Sequence, residues 1–314
     1  MSVLGWILCA AALLVLAALA YVGARLFRMA ALRAPKPFLA DDPTVTGGAY
    51  IPAQDERMGW LATQRHHALK ITSADGLKLH ATFISAPEPA GRTALVIHGF
   101  TCRGEDMLGM ARIFVEELGY NVLLPDCRAH GRSEGRYIGY GWLDRLDILQ
   151  WIARVLQQQG AQERIVLYGV SMGGATVMMT AGEQLPPNVR ALVEDCGYSS
   201  VRDELTYQMH RLFHLPSFPL LDAASLACRL CAGFFFGEAS AVAQLRKNTL
   251  PILFIHGEED TFVPYAMLNK VQAATRGEKL VYSVPHATHG GAYAMNPSAY
   301  ADTLRDFLAR AMSA

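Results

Sequence analysis

Gly169-Val170-Ser171-Met172-Gly173 follows directly on the apolar run Arg164-Ile165-Val166-Leu167-Tyr168 and leads into Gly174-Ala175-Thr176-Val177-Met178-Met179. The run before it reads as a buried strand and the stretch after it as a helix start, so the G-x-S-x-G segment sits on the turn between them. Such a turn exposes a seryl oxygen only if the backbone takes angles that are costly for residues with a Cβ. That strain accounts for the glycines, and nothing bulky can stand at the flanking positions. A serine held this way is a candidate nucleophile.

Strands and helices alternate through the rest of the chain. Strands are predicted over 67–72, 78–85, 93–98, 121–125, 165–169, 191–195, 252–256 and 280–284. Helices are predicted over 106–118, 143–159, 173–182, 201–213, 265–274 and 298–312. Runs such as Leu95-Val96-Ile97 and Ile252-Leu253-Phe254-Ile255 are apolar without alternation, as expected where helices cover both faces of a parallel sheet. The expected class is α/β, with a mostly parallel central sheet flanked by helices and an antiparallel hairpin around Asp75-Gly76. Residues 61–314 form that domain. The stretch 198–248 breaks the rhythm with apolar pieces such as Cys231-Ala232-Gly233-Phe234-Phe235-Phe236-Gly237, and reads as a helical lid over a pocket.

Residues 3–23 contain no charge. About 20 residues at 1.5 Å each cross a hydrocarbon core of about 30 Å, so residues 1–24 read as a transmembrane anchor. A cleaved signal peptide is disfavoured because no Lys or Arg precedes the apolar stretch. Arg25, Arg28, Arg33 and Lys36 follow it, which puts the catalytic domain on the cytoplasmic side of an inner membrane as a single-pass protein. Residues 25–60, rich in Pro, Gly and Asp (Asp41-Asp42-Pro43, Gly47-Gly48), read as a linker. The six cysteines show no disulfide-framework spacing, which fits a reducing compartment. With 28 basic and 28 acidic residues there is no electrostatic footprint for nucleic acid, and a small-molecule acyl substrate is the expected partner.

A serine hydroxyl is a weak nucleophile at neutral pH and needs a base, which in turn needs a carboxylate to hold its tautomer. Two later loops supply them in the order Ser, acid, His. After 252–256 comes Gly257-Glu258-Glu259-Asp260-Thr261-Phe262-Val263-Pro264, where Asp260 takes the acid role and Glu258 and Glu259 read as solvated. Asp195, at the end of an earlier strand, is the runner-up acid. After 280–284 comes Pro285-His286-Ala287-Thr288-His289-Gly290, where His289, before two glycines, takes the base role and His286 reads as a loop contact. The backbone N–H groups of Phe100 and Met172 are the candidate oxyanion donors.

The segments Leu95 to Thr101, Asp126-Cys127-Arg128-Ala129-His130-Gly131-Arg132-Ser133, Gly169 to Gly174, His256 to Pro264 and His289-Gly290 together resemble the α/β-hydrolase superfamily. The likeness is closer to its bacterial serine-aminopeptidase-like and esterase-like branch, many members of which carry an N-terminal membrane helix. It implies an α/β-hydrolase fold and serine ester hydrolysis, with thioester or amino-terminal peptide cleavage as alternatives. One departure is Ala129, where the family pattern has Gly, which implies a changed loop conformation. A rival of another class is a non-catalytic membrane adaptor that keeps the fold as a scaffold.

Weaker candidates remain. His210 and His214 stand four apart on a predicted helix, but the sequence suggests no third ligand, and no metal or cofactor is expected. Cys228-Arg229-Leu230-Cys231 lacks a second pair for zinc and reads as lid packing. The aromatic loop Tyr137 to Trp142 is expected either to border the site entrance or to be a structural turn.

Overall fold

The computed structural model describes residues 2–40, 42, 44, 53–88 and 90–313. Of the irregular lead-in, Asp41, Pro43 and 45–52, with Gly47-Gly48 among them, lie outside the described residues. Eight strands form one sheet: β1 (His66–Thr72), β2 (Lys78–Ile84), β3 (Arg92–Ile97), β4 (Asn121–Pro125), β5 (Arg164–Val170), β6 (Val189–Asp195), β7 (Ile252–Gly257) and β8 (Lys279–Val284). Their order is β1-β2-β4-β3-β5-β6-β7-β8. β1 and β2 pair antiparallel to each other, and β2 pairs antiparallel to β4; every later pairing is parallel. The β1–β2 hairpin turns at Gly76, whose φ is +89°.

Because successive side chains of a strand point to opposite faces, the unbroken apolar runs feed two cores. Leu95, Ile97, Ile165 and Leu167 point to one, and Ala94, Val96, Val166 and Tyr168 to the other. The first core is covered by α3 (Asp144–Gln159) and α4 (Met172–Thr180), with two helices named below. The second is covered by α7 (Pro297–Ser313) and by the segment around Phe114.

Four local results differ from the sequence expectation. The helix expected over 106–118 is three pieces, a 3-10 turn Gly104–Met107, an α turn Leu108–Arg112 and a π turn Ile113–Glu117. The wider π turn lets three successive residues, Ile113, Phe114 and Val115, all be buried, which a surface α-helix with its single apolar stripe does not. The lid region contains α5 (Val201–Phe213) and also α6 (Leu220–Ala232), a helix whose many apolar residues hide its period. Ser200 caps α5 by accepting the Asp203 N–H at 3.0 Å.

The third difference concerns the linker. Within it α2 (Gln54–Thr63) is helical, buries Leu61, and pairs Arg57 with Asp106 at 2.8 Å. The fourth is the anchor boundary. The first helix, α1, runs Val3–Ala31 without a break at residue 24. Arg25 and Arg28 are exposed, while Gly23, Phe27 and Ala31, four residues apart, face inward; the charges mark one side of the helix and not its end. α1 is long and apolar enough to cross a membrane, and its most apolar 18-residue window is not buried against the protein.

Gly23 sits on α6 so closely that a Cβ there would lie 2.5 Å from the Ala223 carbonyl carbon. Phe27 packs on Tyr137 with ring centroids 5.1 Å apart. The lower third of α1 is thereby part of the first core. Lys36 closes the helix by donating to the carbonyls of Met29 (2.7 Å) and Leu32 (2.8 Å), a cation placed on a helix C-terminus.

Candidate active site

Ser171 sits between β5 and α4 with φ 57° and ψ −117°, a conformation that side-chain-bearing residues rarely adopt. The glycines around it answer a different need from the one expected. Neither Gly169 nor Gly173 has positive φ; a Cβ on Gly169 would collide with the Gly173 carbonyl, and one on Gly173 with the Ile97 carbonyl. The strain therefore rests on the serine itself, and the glycines provide room for three backbones to converge beneath it. The Ser171 N–H donates to the Asp195 carbonyl at 2.8 Å and the Ser171 carbonyl accepts from Ala175 N–H at 2.9 Å, which fixes the turn from both sides.

Three residues chosen from separate loops form one row. Ser171 Oγ lies 2.8 Å from His289 Nε2, and His289 Nδ1 lies 2.8 Å from Asp260 Oδ2. The other oxygen of Asp260 accepts the backbone N–H groups of Phe262 (2.9 Å) and Val263 (2.8 Å), so the carboxylate is held by its own loop. Burial raises the Asp260 pKa, but the pull of His289 and the hydrogen bonds from His256 and His289 outweigh it. The carboxyl is held well below the usual range and stays ionised.

The Gly99-Phe100 turn abuts the serine: a Cβ on Gly99 would stand 3.5 Å from the Ser171 Cβ. Among the described residues the backbone N–H groups of Phe100 and Met172 have no hydrogen-bond acceptor. They are thus available to an oxygen developing negative charge at Ser171.

The remaining candidates fall elsewhere. The Asp195 carboxylate accepts the Tyr300 hydroxyl at 2.8 Å and makes no bond to His289; burial pushes its pKa up to about 6. His286 faces Glu259 at 2.7 Å on the surface. His210 and His214 are exposed, and among the described residues the one grouping of three metal-capable side chains within reach of each other is Cys196, Asp260 and His289. Cys228 is buried and Cys231 exposed. The aromatic loop lies between α1 and the site: Tyr137 packs on Phe27, Tyr140 lines a cavity beside Ser171 and stacks on Phe100 at 5.7 Å, and the Tyr140 carbonyl accepts from Tyr198 Oη. Ala129 has φ 61°, the region glycine favours, so the family departure is carried as backbone strain and not as the changed conformation expected.

A match to the alpha/beta hydrolase family model covers residues 94–303. The chain belongs to that family. Among curated proteins this hydrolase is 29% identical over 241 residues to YqkD of Bacillus subtilis, covering 77% of the present chain and 78% of that one. It is 24% identical over 249 residues to a Saccharomyces cerevisiae membrane protein, YNL320W, covering 77% and 79%. Among solved structures it superposes on the Pyrococcus furiosus esterase Pf2001 with a TM-score of 0.63 at 22% identity, over 80% of this chain and 92% of that one. The last likeness speaks for the fold.

Two cavities of the hydrolase meet at Ser171. One is apolar and is lined by Met172, Val201, Leu205, Met209 and Leu221, with Leu26, Met29 and Ala30 of α1. The other, lined by Gly99, Thr101, Asp106, His289 and Tyr293, is more polar. Glu204 also lines the apolar one; Gln208 donates to its Oε1 at 2.7 Å, and its Oε2 has no hydrogen-bond partner among the described residues. Burial raises Glu204 to about 8, so it is neutral at pH 7 when the cavity is empty.

Sequence reasoning gives no role to His98 and His256, and it offers Glu204 only as one of several lid acids that it cannot position. His256 is buried, donates from Nε2 to the Val263 carbonyl at 2.9 Å and stands 3.4 Å from Asp260, bracing the acid loop. A His-Gly pair at the end of an apolar strand is the shared signal: His98-Gly99 closes β3, and His256-Gly257 closes β7.

Proposed function

We propose that this chain is a membrane-anchored serine hydrolase acting on carboxylic esters by two-step acyl transfer. The observation that carries the reading is the buried Ser171–His289–Asp260 row beside two N–H groups that have no acceptor among the described residues. His289 takes the Ser171 proton as Oγ attacks the carbonyl carbon, and Asp260 holds the imidazole and steadies the imidazolium. The oxyanion is received by the N–H groups of Phe100 and Met172. The ester C–O bond then breaks, His289 returns its proton to the leaving alkoxide, and a water molecule releases the acid by the same steps in reverse.

The apolar cavity suits an acyl group, and the more polar one the alcohol side. A second reading, cleavage at a free amino terminus, draws on Glu204: an ammonium brought into the cavity would pair with its carboxylate. A fluorophosphonate probe tests the serine mechanism, with labelling of the wild type and none of Ser171→Ala expected. A panel of p-nitrophenyl esters, thioesters and aminoacyl amides separates the substrate classes. The scaffold alternative predicts no labelling of either protein.

For location, α1 is read as a single span of the inner membrane with the hydrolase domain on the cytoplasmic side, since Arg25, Arg28, Arg33 and Lys36 follow its apolar part. A C-terminal reporter active only outside the cytoplasm would overturn this orientation.

A further inference from the structure

A helix that only tethers a soluble enzyme has no reason to enter its active site. Here one unbroken helix has two jobs. Its residues from Val3 to Val22 are almost all exposed, and from Gly23 on it is packed into the protein. Leu26, Met29 and Ala30, four to eight residues beyond the exposed Val22, form a wall of the apolar cavity that ends at Ser171. At 1.5 Å per residue, Leu26 lies about 6 Å along the axis from Val22. A bilayer holding the exposed stretch in its hydrocarbon core therefore places the cavity wall at headgroup depth.

The partner across this seam is α6. Ala223 touches Gly23, and on the same stripe of the helix, three and seven residues on, come Leu226 and Leu230. These are 53% and 79% exposed. Leu221 and Ala224 of the same helix line the cavity. Apolar surface therefore lies on both sides of one contact: outside are the exposed part of α1 and Leu226 and Leu230, inside is the cavity that ends at Ser171, and between them stands the Gly23–Ala223 contact, which must part for a chain to pass. Water-soluble substrates have no need of such a route.

We propose that the substrate is a long-chain carboxylic ester of a membrane lipid, whose acyl chain passes from the leaflet to Ser171 along the seam between α1 and α6. One water is consumed, the ester C–O bond is cleaved, and the products are the fatty acid and the lipid's alcohol. The proposal rests on the membrane-anchored serine hydrolase reading above.

The test uses the full chain reconstituted into phospholipid vesicles, with p-nitrophenyl palmitate as the lipid-phase probe and p-nitrophenyl acetate as the soluble one. With wild type, palmitate in the same vesicles as the protein should turn over at least tenfold faster than palmitate supplied in separate, protein-free vesicles. Equal rates overturn the lateral route. Ala30→Trp, which fills the cavity from the α1 side, should lower the palmitate-to-acetate ratio at least tenfold; an unchanged ratio overturns the proposal. Met29→Ala, which adds room, should raise the ratio of stearate to octanoate ester, and it reads the same expectation with opposite sign if Ala30→Trp is misfolded. Fluorophosphonate labelling separates the two levels of failure. Labelling and acetate turnover with equal vesicle rates remove only the lipid route, whereas no Ser171-dependent labelling removes the hydrolase reading and the proposal with it.

Discussion

The Cys127 N–H donates to Nε2 of His98 at 2.9 Å, and this bond fixes the histidine as the neutral tautomer. An N–H can only donate, so Nε2 must accept, and the proton resides on Nδ1, which donates to the Gly99 carbonyl at 2.8 Å. His98 thereby ties the end of β4 to the turn that carries Phe100. Burial, and then the neighbouring His130, push its pKa down to about 4.

Replacing this clamp should loosen the oxyanion turn. His98→Phe leaves the buried Cys127 N–H unpaired, at a cost of about 1–3 kcal/mol, and should lower kcat more than it raises KM; His98→Gln should recover part of both. A histidine whose folded pKa is depressed below its ordinary 6.5 contributes stability that is full above pH 6.5 and is lost as pH falls toward 4. The Tm gap between wild type and His98→Gln should therefore shrink across that window. A gap constant from pH 7 to 4.5 would show that His98 does not act as a neutral clamp.

The Ser171–His289–Asp260 row predicts unequal losses. Ser171→Ala should abolish ester turnover and probe labelling. Asp260→Asn keeps the shape but presents an amide to His289 and favours the wrong tautomer, so kcat should fall by about ten-thousand-fold. Asp195→Asn, the runner-up position, should cost stability through the Tyr300 bond while kcat stays within about tenfold. Steady-state kinetics on one p-nitrophenyl ester decides between the two acids; a larger kcat loss at Asp195 would reverse the assignment.

Glu194 gives a pH signature of the opposite sign. It is fully buried, accepts the Gly197 N–H at 2.9 Å, and burial raises its pKa to about 8. The native state therefore holds a proton that the unfolded chain releases near 4.5, and the stabilisation present at low pH is lost as pH rises from about 4.5 to about 8. Glu194→Gln keeps the Gly197 partner and cannot ionise. The Tm of the variant relative to wild type should climb across that interval and level off above pH 8. A difference independent of pH would mean that Glu194 is ionised in the native protein.

The sheet was legible because its parallel strands are buried on both faces, and runs such as Ile252 to Ile255 have no other common explanation. The loop order of Ser171, Asp260 and His289 could be read because each follows a strand end marked by glycine or proline. The polar residues that hold those loops were not legible: His98, His256 and Glu194 are single buried groups at strand ends, and their partners, the Cys127 N–H, the Val263 carbonyl and the Gly197 N–H, are set by the course of loops. Nor was the extent of α1. Arg25 and Arg28 look like the end of an apolar span, and only the packing of Gly23, Phe27 and Ala31 reveals that the helix continues with its charges turned outward.

The last prediction concerns that packing. At Gly23 α1 and α6 touch through backbone and a single methyl, and any side chain would have to occupy space held by Ala223. Gly23→Leu cannot be accommodated by a rotamer change, because the obstructing atoms include the Ala223 carbonyl carbon at 2.5 Å from the new Cβ. The helices must separate, and overpacking of this kind costs about 1–3 kcal/mol. The change should lower Tm and make α6 the first site of limited proteolysis, while the Ser171 turn, held by backbone bonds to Asp195 and Ala175 and not by α1, keeps its probe labelling. Gly23→Ala, with one methyl, should show the same effects in weaker form. If Gly23→Leu leaves Tm and the cleavage pattern unchanged, α1 does not rest on the lid in solution, and the wall that Leu26, Met29 and Ala30 give to the cavity is lost with it.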